Sequence, residues 1–193
     1  MTGFIGTAAI SNALSKGGNH EDAYRLLQQT SYPSWLYSVQ NGATTIWERL
    51  NSYTKKDGFG TNNSMNSFNH YSFGAVGAWM MDYSLGIARD EPGFSKFILQ
   101  PNPDPTGQMT FAKGYYDSIY GRIVSEWKVE AGQVVYDFVV PANTSARLFL
   151  QGIDLDKVTE GGKKIDKSMY QGKQGNKLMF TLSSGKYHFV VKK

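Results

Sequence analysis

Apolar residues recur at helical spacing through the first half of the chain and alternate through much of the second. In residues 7–15, Ala8, Ile10, Ala13 and Leu14 fall at helical intervals, and Gly17-Gly18 follows where a C-cap belongs. Asn19 is placed to cap a second helix that carries Ala23, Tyr24, Leu26 and Leu27, with Glu21 and Asp22 in its first turn, where the helix dipole favours negative charge. A tight glycine turn makes the two antiparallel. Pro33 and Ser34 can start a short third helix through Leu36, Tyr37 and Val39, since proline suits a first turn and serine a cap. Asn41-Gly42 is a turn signal, residues 43–50 have no helical stripe, and residues 51–63 read as a polar, glycine-rich loop. A long helix is expected over residues 65–87, apolar on more than one side and capped by Asn66, with Gly74 and Gly77 thinning its surface.

From Phe97 onward the period becomes two. Ile123, Ser125, Trp127 and Val129 alternate with Arg122, Val124, Glu126 and Lys128, and Val134, Tyr136, Phe138 and Val140 follow across Glu130-Ala131-Gly132-Gln133, which predicts a hairpin. Residues 146–150, 178–182 and 187–191 read as further strands, the last two split by Ser183-Ser184-Gly185. Short strands at this spacing without helices between them predict an antiparallel sandwich. The proline cluster Pro101, Pro103 and Pro105 marks the change. The fold class is therefore α+β, with the chain divided into residues 1–96 and 97–193.

Composition removes several classes of function. The 193 residues include no cysteine, so disulfides, thiolate nucleophiles and sulfur-ligated zinc are excluded. His20, His70 and His188 have no metal-ligand spacing, and neither a metal nor another cofactor is expected. There is no phosphate loop and no nucleophile elbow around a serine. The net charge of +4 comes wholly from residues 101–193, where lysines are scattered through turns rather than aligned on one element; this speaks against nucleic acid as a partner. No apolar run is long enough to span a bilayer, and residues 1–12 lack a basic start followed by an apolar stretch. No membrane partner is expected, and a native start at Met1 would mean a cytoplasmic protein.

The candidate chemistry is concentrated in Gly42-Ala43-Thr44-Thr45-Ile46-Trp47-Glu48-Arg49. Glu48 can be a structural ion-pair partner, or the carboxylate of a sugar site, where acid and base work is combined with indole faces that cover a pyranose. His70 can be a hydrogen-bonded interior histidine one turn into the long helix, or a donor to a ligand hydroxyl.

These segments also carry a resemblance. Tyr32-Pro33-Ser34-Trp35-Leu36-Tyr37, the segment from Gly42 to Arg49, and Met65-Asn66-Ser67-Phe68-Asn69-His70-Tyr71-Ser72-Phe73-Gly74-Ala75-Val76-Gly77 resemble the C-terminal part of bacterial α-L-rhamnosidases. Gly3-Phe4-Ile5-Gly6-Thr7 and Tyr120-Gly121-Arg122-Ile123 are similar to that family in the same order. The resemblance implies the last helices of an (α/α)6 barrel followed by a β-sandwich, and hydrolysis of terminal α-L-rhamnosyl groups with inversion. It implies Glu48 as the general base, with Arg49 near enough to favour its charged form, and His70 and Trp47 at the rhamnoside. The sequence departs from the family at Leu50-Asn51, where tryptophan and aspartate are frequent.

A twelve-helix barrel needs about 200 residues or more, so the expectation is a fragment that is inactive alone, its general acid lying upstream. Helix faces including Trp79 and Phe73 would then be exposed, and would seek a missing barrel segment, a complementary chain or a second copy. A non-catalytic carbohydrate-binding or structural β-sandwich module is the alternative function.

Overall fold

The computed structural model describes residues 3–60, 64–152 and 154–192. These fall into two compact units, one ending at Trp79 and the other beginning at Met80. The end of the expected polar loop, residues 61–63, lies outside the described residues, as does the start of the chain at Met1.

The first unit opens with a helical hairpin of α1, Phe4–Lys16, and α2, His20–Gln28. Gly18 takes a φ of 83° between them, and the Asn19 N–H reaches back to the Leu14 carbonyl at 2.8 Å, closing α1. Asn19 is the N-cap residue of α2 as expected, although its side chain makes no capping bond. Helix α3, Trp35–Gln40, begins at Ser34, whose hydroxyl accepts the Tyr37 N–H at 3.1 Å.

The buried stripe of α1 differs from the expected apolar one: Thr7, Ser11 and Ser15 face inward at i, i+4 spacing. Ser15 explains part of this, because its hydroxyl accepts the Trp79 indole N–H at 2.8 Å. Tyr24 of α2 meets the same indole edge-on, with ring centroids 5.1 Å apart. Trp79 and Phe73 are only 1% and 6% exposed, which corrects the expectation that both lie open.

The long helix over residues 65–87 is not formed. The first unit ends with a 3₁₀ turn, Ser72–Ala75, and α4, Val76–Trp79. Residues 66–71 cannot be helical because their backbone bonds elsewhere: Ser67 O accepts the Glu48 N–H and the His70 N–H goes to Ile46 O, both at 2.8 Å. Asn66 accordingly caps no helix among the described residues, and its Oδ1 accepts the Ser52 hydroxyl.

The second unit starts with one π-helical turn, Met80–Ser84, and is otherwise built of strands with two short 3₁₀ turns, Pro92–Phe94 and Leu155–Lys157. Its strands are β1 Ile87–Arg89, β2 Lys96–Leu99, β3 Phe111–Ser118, β4 Gly121–Glu130, β5 Gln133–Val140, β6 Ser145–Gln151, β7 Val158–Glu160, β8 Lys163–Lys164, β9 Tyr170–Gln174, β10 Lys177–Leu182 and β11 Gly185–Lys192. One sheet has the order β1-β2-β6-β10-β9 and the other β3-β4-β5-β11-β7-β8. Among the described residues every strand pair is antiparallel except β2 with β6.

Alternation places Phe97, Leu148, Leu150, Leu178 and Phe180 of the first sheet and Ile123, Trp127, Tyr136, Phe138 and Phe189 of the second in one continuous core. The Trp127 indole N–H is satisfied by Ser84 O at 2.9 Å, and the Ser125 hydroxyl by Leu85 O at 2.6 Å. The β4–β5 hairpin closes over the expected turn, with Glu130 and Gln133 paired across Ala131-Gly132. Strands β1 and β2 carry the β unit back before Phe97, so the two units meet between residues 79 and 80, where the pattern reading divided the chain between 96 and 97. The architecture is a helical-hairpin unit followed by antiparallel-rich sheets, an α+β arrangement.

Candidate active site

Glu48 owes its position to two irregular segments that run side by side. After α3, Gly42 adopts a φ of 86° and the chain reverses, with the Ala43 N–H bonded to Ser38 O at 3.0 Å. Residues 45–48 then lie along residues 67–70. The Thr45 hydroxyl donates to Phe68 O, and the Glu48 and His70 backbone bonds above complete the register. Glu48 is clamped in both directions: its N–H goes to Ser67 O, and the Ser67 N–H returns to Glu48 Oε2 at 2.7 Å. A hydrogen bond from a backbone N–H to a carboxylate contributes about 1.5–3 kcal/mol, enough to fix one rotamer.

Glu48 is 7% exposed and lines a cleft of about 260 Å³ together with Gly3, Phe4, Leu50, Asn51 and Phe73. Glu48 Oε1 accepts no hydrogen bond from the described residues. None of the ion pairs among the described residues involves Glu48. Arg49 lines the same cleft, but its guanidinium donates to Ser64 O at 2.6 Å, so it does not pair with the glutamate as the sequence suggested. The arrangement leaves one carboxylate oxygen oriented, partly covered and free to accept a proton.

His70 stacks between Phe4 and Tyr71, with centroid distances of 5.2 and 5.3 Å. Its Nδ1 accepts the Ser72 N–H at 3.3 Å. In a neutral imidazole that assigns the proton to Nε2, which becomes a donor available to a ligand. His70 adjoins the Glu48 cleft through Phe4 rather than lining it. Trp47 is 7% exposed and packs edge-on against Phe68 and Tyr53, outside the cleft lining. Phe4, Phe73 and Leu50 were not singled out as site residues, although all three stand in or beside the recognised motifs. What was missing was the fold of residues 64–71 back onto the glutamate segment. Among the described residues no cluster of three or more His, Asp or Glu could hold a metal ion, and no helix is long and apolar enough to cross a membrane.

A helical-hairpin unit bearing an oriented carboxylate in a cleft, followed by packed β-sheets, has the make-up of the end of a helical glycosidase domain and the β domain that follows it. Residues 1–83 match the bacterial alpha-L-rhamnosidase 6 hairpin glycosidase domain, and residues 86–164 match the bacterial alpha-L-rhamnosidase C-terminal domain. The chain belongs to the bacterial α-L-rhamnosidase family and corresponds to its C-terminal portion.

It is 42% identical over 147 residues to an alpha-L-rhamnosidase of Formosa agariphila, covering 76% of this chain and 16% of that protein. It is 35% identical over 192 residues to one of Streptomyces avermitilis, covering 98% and 18%. The solved structure of the Streptomyces avermitilis enzyme complexed with L-rhamnose superposes with a TM-score of 0.87 at 34% identity, over 99% of this chain and 18% of that one. The chain thus spans less than a fifth of the length of these relatives, which are glycoside hydrolases.

Proposed function

We propose that this chain supplies the general base and one wall of the sugar cleft of an inverting α-L-rhamnosidase that removes terminal α-L-rhamnosyl groups. The observation that carries this reading is the Glu48 carboxylate, held by the Ser67 N–H, unpaired with any described cation and open to a cleft. In an inverting glycosidase two carboxyl groups stand about 6.5–9.5 Å apart, with water between the base and the anomeric carbon. Glu48 takes the proton of that water as it attacks, and the second carboxyl, in the role of general acid, protonates the departing oxygen. His70 donates through Nε2 to a rhamnose hydroxyl. Trp47 serves substrate binding from behind, by holding residues 46–49 in register.

In this reading the general acid lies outside the 193 residues, and the partner is a polypeptide carrying the remaining hairpins of the glycosidase domain. Helix α1 supports that partner: Ile5 is 89% exposed, apolar surface that an additional packed helix would cover. The test replaces the corresponding C-terminal portion of the Streptomyces avermitilis enzyme with this chain. The chimera is expected to hydrolyse an aryl α-L-rhamnoside and release β-L-rhamnose first, seen by proton NMR, while the 193-residue chain alone gives no turnover. Release of the α anomer refutes inversion, and turnover by the chain alone refutes the external acid.

A further inference from the structure

The Ser67 N–H holds the Glu48 carboxylate only as firmly as residues 64–67 are themselves held, since a donor that drifts takes its acceptor with it. On the far side of the donor, Phe68 packs edge-on against Trp47, with ring centroids 5.3 Å apart. On the near side, the chain just after the base meets the chain just before the donor. The Ser52 N–H reaches back to Arg49 O at 3.1 Å, closing a turn over residues 49–52, and the Ser52 hydroxyl lies 2.7 Å from the same carbonyl. That hydroxyl also meets Asn66 Oδ1, one residue before Ser67. The Arg49 guanidinium makes a second tie to Ser64 O, but this bond is exposed and competes with water. Ser52 is 4% exposed, so its contact with Asn66 is the shielded one. Neither Ser52 nor Asn66 lines the Glu48 cleft.

We infer that Ser52 and Asn66 are positioning residues for the general base. Their contact fixes residues 64–67 against residues 49–52, keeps the Ser67 N–H on Glu48 Oε2 and so leaves Oε1 aimed at the attacking water. The inference rests on the general-base reading of Glu48 and extends it to two side chains that act only through the carboxylate. Without the contact, Glu48 gains rotamers that point away from the water, while the groups that bind the sugar are untouched. A misplacement of about 1 Å can cost about 10²-fold in rate. The Glu48 N–H to Ser67 O bond remains as a partial hold, so the expected loss is about tenfold.

The experiment measures kcat and KM of the chimeric rhamnosidase on an aryl α-L-rhamnoside, with Ser52→Ala and Asn66→Ala made singly, together, and each in a Glu48→Gln background. Each single variant should lose about tenfold in kcat with KM within about twofold, and the double variant should lose no more than either one. With Glu48→Gln no base is left to position, so either substitution should change the residual kcat by less than about twofold. In the 193-residue chain, hydrogen exchange at the Ser67 amide should quicken about tenfold in both variants, which reads the same loosening without turnover. An unchanged kcat, a loss carried by KM, an equal loss in the Glu48→Gln background, or unchanged exchange at Ser67 would overturn the assignment. A fully active Glu48→Gln chimera is a different failure, which refutes the general-base reading itself.

Discussion

Replacing Ser15 with alanine tests how the helical unit is held together. Ser15 is 5% exposed, and its hydroxyl accepts the Trp79 indole N–H at 2.8 Å and lies 3.1 Å from His20 Nδ1. Truncation therefore strands an indole donor on a side chain that is itself 1% exposed, and a buried donor left unpaired costs about 1–3 kcal/mol. Taking about 2 kcal/mol, and 4–8 °C per kcal/mol for a unit of under 100 residues, the melting temperature of this unit should fall by about 10 °C. Thermal denaturation followed by tryptophan fluorescence reads the change. In a Trp79→Phe background the donor is already gone, so Ser15→Ala should cost less than about 1 kcal/mol there. A shift under 2 °C in the single variant, or an equal loss in both backgrounds, would refute the reasoning.

Other perturbations reach the β unit. Gly86 has a φ of 71°, and a Cβ there would stand 2.0 Å from the Gln100 carbonyl carbon; Gly86→Ala should destabilise the sandwich by more than the roughly 1–2 kcal/mol of a left-handed alanine, as measured by urea denaturation. Phe180 is 1% exposed in the core shared by the two sheets, and Phe180→Ala should cost about 3–5 kcal/mol in the same assay. The Asp117 carboxyl is held below its usual value of 3.8, chiefly by the hydrogen bond from Arg122. Its small stabilisation is therefore present above about pH 4 and is lost on acidification through the lowered folded value. An NMR titration of Asp117 should show the midpoint rising in Arg122→Ala, and an unmoved midpoint would discount the pair.

The parts of the molecule legible from sequence are those fixed by near neighbours. The turn at Gly17-Gly18, the Ser34 cap and the β4–β5 hairpin each depend on residues within one or two turns of one another, and local pattern suffices for them. Residues 65–87 misled because Phe68, Tyr71, Trp79 and Leu85 can be fitted to helical spacing. The backbone bonds that decide their conformation go to Ile46 and Glu48, about twenty residues away in sequence, and periodicity carries no information about them. Strand β3 was missed for a different reason: Phe111, Tyr115 and Tyr116 are all exposed, so no buried face imposes alternation. At the site, Glu48 stood out through its motif, while the Ser67 N–H that orients it is a backbone group with no sequence signature. The buried position of Trp47, packed on Phe68 and Tyr53 rather than facing the cleft, likewise follows from long-range folding.

The central claim is that Glu48 deprotonates the attacking water, and Glu48→Gln in the chimeric rhamnosidase tests it most directly. The amide preserves the volume of the side chain but cannot take a proton, so kcat should fall by about 10²–10⁴ while KM stays within a few fold. An unchanged kcat, or a loss confined to KM, would contradict the role assigned to this carboxylate.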